Sequence, residues 1–126
     1  MIKVFEPKIY LRDKIAVLNA LNKKNISGGS SEIINFELSL SNYFDRTYVA
    51  TVTNGSTALD VALQSLNLKS DDEVIIPSFT IISCLSAVVR SGAKPVFCDV
   101  NELSWNMTLD DIKKVKTNKT KAIVMV

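Results

Sequence analysis

The regular alternation of apolar strands and helices after residue 47 is the feature that most constrains the fold. Four strands are predicted in this part of the chain, at residues 48–53, 71–77, 94–100 and 121–126. Helices are predicted between them, at residues 56–67, at 80–91 and from Thr108 onwards. A strand that returns to the sheet through a helix pairs in parallel, with a right-handed crossover. Because the strands are continuous apolar runs, both faces of the sheet should be covered. The sequence therefore predicts an α/β fold with a parallel sheet in a three-layer αβα arrangement.

The first part of the chain has a helical rhythm instead. One helix is predicted at residues 11–24 and a second one ends near Asp45, since apolar residues recur there every three to four positions. A pair of glycines at positions 28 and 29 separates the two helices. We therefore predict an N-terminal helical segment at residues 1–47 and a sheet region at 48–126 with the order β-α-β-α-β-α-β.

The position of the last residue bears on the completeness of this region. Val126 lies inside the last predicted strand. In open parallel sheets, ligands bind just beyond the carboxyl ends of the strands. The loop that would follow this strand is missing from the sequence, so we expect the chain to be a truncated part of a longer protein.

Composition excludes several classes of function. Hydrophobic residues make up 47% of the 126 residues, which is enough for a packed core. The net charge of +2 is too small to indicate binding to nucleic acid or to an anionic membrane. The chain contains no histidine, which excludes Ser-His-Asp and Cys-His catalytic systems and histidine-ligated zinc within one chain. No metal site is predicted.

The cysteines and the N-terminus bear on the cellular compartment. Cys84 and Cys98 each lie in an apolar segment and form no CxxC pair, which predicts buried thiols in a reducing compartment. The N-terminus carries no leader-like segment, and no apolar run approaches the length of a membrane span. We therefore expect a cytoplasmic protein.

The stretch Asn54-Gly55-Ser56-Thr57 joins the first predicted strand to the helix that follows it. The first N–H groups of a helix have no intrahelical acceptor and carry partial positive charge. A glycine permits a sharp turn or a close approach, and two hydroxyls can add donors. This combination predicts a phosphate-binding turn. The same residues would also suit an ordinary capped helix start, and they match neither a P-loop nor the dinucleotide-binding fingerprint.

The sequence resembles a known enzyme family over almost its whole length. Residues 54–100, and their continuation through Trp105-Asn106-Met107 to the end of the chain, resemble the early part of the large domain of DegT/DnrJ/EryC1/StrS aminotransferases. These are sugar aminotransferases of the fold type I pyridoxal-phosphate (PLP) class. Residues 26–44 resemble the Ser/Gly loop of the family and the helix after it, and residues 1–7 are similar to perosamine-synthetase-like members.

The resemblance implies roles in cofactor binding for four residues. The family turn that matches Gly55-Ser56-Thr57 holds the phosphate of PLP, and here Ser56 stands in place of a usual threonine and Thr57 in place of a usual small residue. Ile81 matches a position that is often aromatic in the family and stacks on the pyridine ring. Isoleucine would lose about 1 kcal/mol of stacking there. The alternative is that Ile81 is an ordinary residue of the first turn of a helix.

The resemblance also implies a partner subunit. Ser27 and Gly28 match a family loop that lies near the active site and the second subunit of a homodimer. The alternative is a plain turn between two helices.

The family reaction needs two groups that match no residue of this chain. One is a lysine that forms a Schiff base with PLP, and the other is an acidic residue on the pyridine nitrogen. Both lie downstream of the matched region in the family, so we assign no catalytic residue. The resemblance implies that the intact protein transfers an amino group from an amino acid, with glutamate the expected donor, to a nucleotide-linked keto-sugar. The product would be an amino sugar for a surface polysaccharide or a secondary metabolite.

Three alternatives stay open at this point. Some relatives on the same scaffold carry histidine in place of the lysine and act as PLP-dependent sugar dehydratases. The chain could also be a non-catalytic truncated product that pairs with another chain through its exposed sheet edge. A binding module with a phosphate site and no chemistry is the third.

Overall fold

The computed structural model describes residues 5–126, so the first four residues of the segment that resembles perosamine-synthetase-like members lie outside the described residues. The chain divides into two compact units, one up to Thr51 and one from Val52 onwards. The first unit contains α1 (Leu11–Asn22) and α2 (Ser31–Phe44). The second contains α3 (Gly55–Ser65), β1 (Glu73–Pro77), α4 (Ile82–Arg90), β2 (Lys94–Cys98), α5 (Leu109–Val115) and β3 (Thr120–Ile123). None of the helices in residues 5–126 is long and apolar enough to span a membrane.

α1 forms where the apolar period predicts a helix. It begins after Tyr10, whose backbone N–H donates a hydrogen bond to the Asp13 carboxylate at 2.8 Å. This contact satisfies a backbone donor that would otherwise be free at the helix start. The helix ends at Asn22, two residues earlier than predicted, and Lys24 then adopts a left-handed backbone with φ of 59° that cannot continue it.

α2 likewise confirms the second predicted helix. Ser30 is its N-cap residue and is 7% exposed, although its side chain makes no capping hydrogen bond. The helix ends at Asp45, which adopts a left-handed conformation with φ of 50° and donates its N–H to the Ser41 carbonyl. An aspartate tolerates this conformation better than most residues, which makes it suitable for ending a helix.

Residues 48–53, which the sequence predicts as the first strand, form no strand. A strand needs a neighbour that satisfies its backbone groups. Thr51 instead donates its backbone N–H to the Glu37 carboxylate at 2.7 Å and its hydroxyl to the same oxygen at 2.9 Å. The prediction of this strand is therefore wrong, and the order of elements from Gly55 onwards is α-β-α-β-α-β in place of β-α-β-α-β-α-β.

The sheet is parallel, as the sequence predicts, and has the strand order β2-β1-β3. The middle strand, β1, carries three residues with no exposed surface, Val74, Ile75 and Ile76. Adjacent side chains of a strand point to opposite faces, so both faces of β1 are covered. This burial explains why the strand reads as a continuous apolar run. β3 ends at Ile123, and the Val124 N–H still donates to the Ile75 carbonyl at 2.9 Å.

The hydrophobic core joins α3 and α4 to one face of the sheet. Its fully or nearly buried members are Leu63, Val74, Ile76, Cys84, Ala87, Val88, Ala93 and Val124. Cys84 and Cys98 are both free thiols and are 2% and 0% exposed, which confirms the prediction of buried thiols. Burial also raises the pKa of the Cys98 thiol, because the charged thiolate is poorly solvated there.

Two neighbouring valines of α4 test this core directly. Val88 has no exposed surface, whereas Val89 is 58% exposed. We expect Val88→Ala to lower the free energy of unfolding by about 2 kcal/mol or more, because it removes buried carbon atoms and leaves a cavity. Val89→Ala, the same chemical change on the exposed side, should alter it by less than about 0.5 kcal/mol. Urea unfolding of both variants measures the difference, and equal losses would contradict this core.

A second prediction concerns the contact between Glu37 and Thr51. The backbone N–H of Thr51, and to a smaller extent its hydroxyl, hold the pKa of the Glu37 carboxyl below its usual range. A lowered pKa means that the contact stabilises the folded unit above the unfolded-state pKa and that this contribution is lost as pH falls through the folded-state pKa. Carbon-13 NMR titration should therefore place the Glu37 midpoint below that of an unpaired glutamate. Thr51→Val removes only the hydroxyl and should raise the midpoint part of the way; an unshifted midpoint in the unmodified protein would refute the contact.

Candidate functional site

The turn before α3 is organised by Asn54. This N-cap residue accepts hydrogen bonds through its side-chain oxygen from the Thr57 backbone N–H at 2.9 Å and from the Thr57 hydroxyl at 3.2 Å. Within residues 5–126, the backbone N–H groups of Gly55 and Ser56 have no acceptor. These two free donors lie at the positive end of the α3 dipole, so the start of α3 can bind an anion.

The backbone conformation at position 55 does not require a glycine. Its φ lies outside the left-handed region that favours glycine, and a Cβ atom added there would meet nothing within 4 Å. The sharp turn considered from the sequence is therefore not what requires a glycine. The remaining explanation is close approach, because a residue without a side chain leaves the free N–H groups open to a ligand.

The start of α4 lies beside the start of α3. Ser83 occupies the second position of α4, as Ser56 does in α3, and the two hydroxyl oxygens are 2.8 Å apart. Ile81 is the N-cap residue of α4 and is 65% exposed. This exposure leaves its aliphatic side chain free to contact a ligand.

A cavity of about 640 Å³ opens between these two helix starts, and we name it the α3–α4 cavity. Its polar wall consists of Gly55, Ser56 and Ser83, and its apolar wall consists of Ala58, Leu59, Ala62 and Ile81. The volume lies in the range usual for small-molecule sites. A group with a phosphate and an aromatic ring fits this combination, because the lining contains residues with free N–H groups and hydroxyls as well as aliphatic residues.

The structure thus brings three of the predicted site residues together, namely Gly55, Ser56 and Ile81. Thr57 does not line the cavity, because its hydroxyl donates to Asn54 and lies 3.4 Å from the Thr53 hydroxyl. Its part in this turn is to complete the cap.

Ser27 and Gly28 belong to the N-terminal unit. The Ser27 carbonyl accepts a hydrogen bond from the Ser30 N–H at 3.0 Å, which closes the turn into α2. A Cβ atom at Gly28 would meet nothing within 4 Å. The loop is therefore ordered by its own backbone and has an open surface at the glycine.

Two contributors to the site were not identified from the sequence. Ser83 could have been found from its position, since it stands as far into α4 as Ser56 stands into α3. Asn54 could have been found from the preference for asparagine at N-caps. In the described part of the chain, no three His, Cys, Asp or Glu side chains are grouped so that they could ligate one metal ion.

Trp105, to which the sequence assigns no chemistry, lies outside the α3–α4 cavity. Its ring is in edge contact with Phe79 at a centroid distance of 4.8 Å. Both rings line a second cavity, of about 410 Å³, which shares only Ile81 with the α3–α4 cavity. Phe79 therefore does not replace the aromatic ring that is absent from the α3–α4 cavity.

Comparison with known proteins identifies the family. The sequence profile of the DegT/DnrJ/EryC1/StrS aminotransferase family matches residues 8–126. The chain belongs to this family. The chain is 37% identical to the GDP-perosamine synthase of Escherichia coli O157:H7 over 125 residues. These residues make up 99% of this chain and 34% of that protein. It spans about a third of the length of the curated relatives it matches.

Solved structures confirm the expected fold class. The X-ray structure of the aminotransferase from Psychrobacter cryohalolentis superposes with a TM-score of 0.86 at 38% identity, covering 94% of this chain and 30% of that one. The structure of NtdA from Bacillus subtilis with bound cofactor PMP, the amine form of PLP, has a TM-score of 0.80 at 30% identity and covers 91% of this chain and 27% of that one. The family is one of aminotransferases, the NtdA structure holds the cofactor PMP, and the matched relatives include a GDP-perosamine synthase and a dTDP-sugar aminotransferase.

The capping role of Asn54 in this DegT/DnrJ/EryC1/StrS chain leads to a stability prediction. Asn54→Ala removes the acceptor of the Thr57 N–H and should lower the free energy of unfolding by about 1 kcal/mol. Asn54→Asp keeps an acceptor at the positive end of the helix and should preserve stability. Urea unfolding measures both variants, and hydrogen exchange at the Thr57 amide should accelerate in Asn54→Ala alone. A stable Asn54→Ala variant with a protected Thr57 amide would refute this arrangement.

Proposed function

We propose that the protein to which this chain belongs is a PLP-dependent aminotransferase that acts on nucleotide-linked keto-sugars. The observation that carries the proposal is the polar wall of the α3–α4 cavity, where the free N–H groups of Gly55 and Ser56 and the Ser56 hydroxyl stand together. The chain belongs to an aminotransferase family, and its relatives include a GDP-perosamine synthase and a dTDP-sugar aminotransferase. The activity belongs to the whole protein, of which this chain supplies the phosphate end of the cofactor site.

The proposed binding mode follows from the charges of the cavity wall. A phosphate monoester is an anion with several acceptor oxygens, and the α3 dipole favours it at this position. The N–H groups of Gly55 and Ser56 and the hydroxyl of Ser56 would donate to these oxygens. Thr57 would hold the turn in shape through its bonds with Asn54.

Ile81 would contact the face of the pyridine ring. It stands on the apolar wall of the same cavity, and an aliphatic side chain can cover a ring by dispersion contacts without aromatic stacking. PLP, when bound, supplies the electron sink that lets an amino group move between an amino acid and a carbonyl acceptor. Gly55, Ser56, Thr57 and Ile81 would bind and orient the cofactor, and we assign no catalytic residue in this chain.

The remaining parts of the proposal concern substrates and assembly. We propose an amino acid, glutamate, as donor and a nucleotide-linked keto-sugar as acceptor, in line with relatives named GDP-perosamine synthase and dTDP-sugar aminotransferase. The product would be an amino sugar for a surface polysaccharide or a secondary metabolite. The protein would act in the cytoplasm as a homodimer, with Ser27 and Gly28 facing the active site and the partner subunit.

A glycine variant tests the cofactor site in the full-length protein. Gly55→Ala fits the backbone and places its methyl group in open space, so the free energy of unfolding should stay equal or rise by about 0.5 kcal/mol. The methyl group would occupy space that a phosphate needs beside the free N–H groups, and the affinity for PLP should fall at least about tenfold, as expected when a charge-assisted hydrogen bond is lost. Fluorescence titration with PLP measures this loss.

Pyridoxal, which lacks the phosphate, is the control ligand, and Gly29→Ala is the control variant, since a Cβ atom there also meets nothing within 4 Å. Neither the affinity of Gly55→Ala for pyridoxal nor that of Gly29→Ala for PLP should change. Equal losses for both ligands would refute a phosphate site at Gly55.

The reaction itself is tested with PLP, glutamate and GDP- or dTDP-linked keto-sugars. Mass spectrometry should show replacement of the ketone oxygen by an amine, with formation of the keto acid. A sugar product that has lost water and gained no nitrogen would replace this proposal with a dehydratase.

A further inference from the structure

We propose that Ser83 is a positioning residue that turns the Ser56 hydroxyl into a donor for the cofactor phosphate. This inference rests on the proposed function, since it assigns a new part to the same site. Its basis is the 2.8 Å contact between the two hydroxyl oxygens on the polar wall of the α3–α4 cavity.

The proposal follows from the number of protons in the pair. A serine hydroxyl has one proton to donate and can accept as well. When Ser56 donates to Ser83, its proton is used and cannot reach a phosphate oxygen. When Ser83 donates to Ser56, the Ser56 proton is free to point into the cavity. A bound anion therefore selects the second arrangement, in which Ser83 need not touch the phosphate.

The surroundings of the two hydroxyls favour Ser83 as the donor to Ser56 and Ser56 as the donor to the phosphate. Among residues 5–126, neither hydroxyl has another hydrogen-bond partner, so no third group competes for either proton. Ser83 is half-buried and Ser56 is exposed, which places Ser56 on the side of an incoming ligand. A hydroxyl that accepts a hydrogen bond is also polarised and becomes a stronger donor.

The helices that carry the two serines are fixed to each other. Leu63 of α3 and Val88 of α4 belong to one buried core. Further along the two helices, Arg90 of α4 donates through Nε and Nη2 to the Asp60 carboxylate of α3 at 2.9 and 2.7 Å. Packing between the two helices therefore fixes the positions of the two hydroxyls, and their contact does not depend on a mobile loop. Ser83 would lose its hydroxyl at little cost to the position of Ser56.

The competing explanation is that the serine pair only ties α3 to α4. A structural tie would affect PLP and pyridoxal equally, because both ligands need the cavity wall in place. A positioning role affects only the ligand that carries a phosphate. The ratio of the dissociation constant for pyridoxal to that for PLP, measured by fluorescence titration, separates the two explanations without any activity measurement.

The experiment compares five variants of the full-length protein, four single variants and one double variant. Ser83→Ala should reduce this ratio roughly threefold to tenfold, the range expected for one hydrogen bond. Ser83→Thr keeps a hydroxyl and should restore it. Ser86→Ala, the same change three residues further along α4, is the matched control and should leave it unchanged. In Ser56→Ala the ratio should fall, and adding Ser83→Ala to that variant should cause no further fall, since Ser83 would act through Ser56.

The outcomes separate this inference from the proposed function. If the unmodified protein binds PLP no better than pyridoxal, the phosphate site itself fails. If the unmodified protein prefers PLP to pyridoxal and Ser83→Ala keeps the whole of this preference, only the proposed role of Ser83 is refuted. Independent losses in Ser56→Ala and Ser83→Ala would mean that each hydroxyl contacts the phosphate separately, which also overturns the positioning role.

Discussion

Complete burial of the middle strand is the constraint on which the C-terminal unit depends. Val74, Ile75 and Ile76 have no exposed surface, so β1 requires a neighbour on each edge and a cover on each face. The sequence meets the first requirement with two further apolar strands and the second with the helices that connect them. β1 ends at Pro77, and α4 begins five residues later. The burial of β1 therefore also fixes where the N-terminus of α4 lies, at the carboxyl edge of the sheet.

The site depends on this constraint through the pairing of α3 with α4. The Asp60–Arg90 ion pair between the two helices is three-quarters shielded at the acid and half exposed at the arginine, and pairs of this kind contribute little to stability. The buried core around Leu63 and Val88 supplies most of the association. Its effect at the site is geometric, because two helices packed on one sheet face bring their first turns, and with them two hydroxyls, to the same point.

Most elements of the fold could be predicted from the sequence because their signals are local. Five helices and three strands lie within a few residues of their predicted places, since apolar period, glycines and caps act over short distances. The strand at 48–53 failed because β-branched residues give a propensity and do not provide a neighbour, and Thr51 bonds to Glu37 instead. The contact between Ser56 and Ser83 spans 27 positions and arises only from tertiary packing, so no local sequence pattern predicts it. That Gly55 and Ile81 belong to one site was predicted only from the resemblance to the family.

The chemistry of the cavity wall sets this half of the proposed site apart from sites that bind phosphate with basic side chains. The seven residues that line the α3–α4 cavity are all uncharged. Lysine and arginine would bring a full positive charge, but such a charge attracts any anion and is screened by salt. Helix N-termini and hydroxyls carry fixed dipoles that do not titrate in the physiological range, and they select a ligand by the positions of its oxygens. Within this wall, the ligand itself is then the only group that changes charge with pH, so the binding of a phosphate ester should follow the second ionisation of its own phosphate.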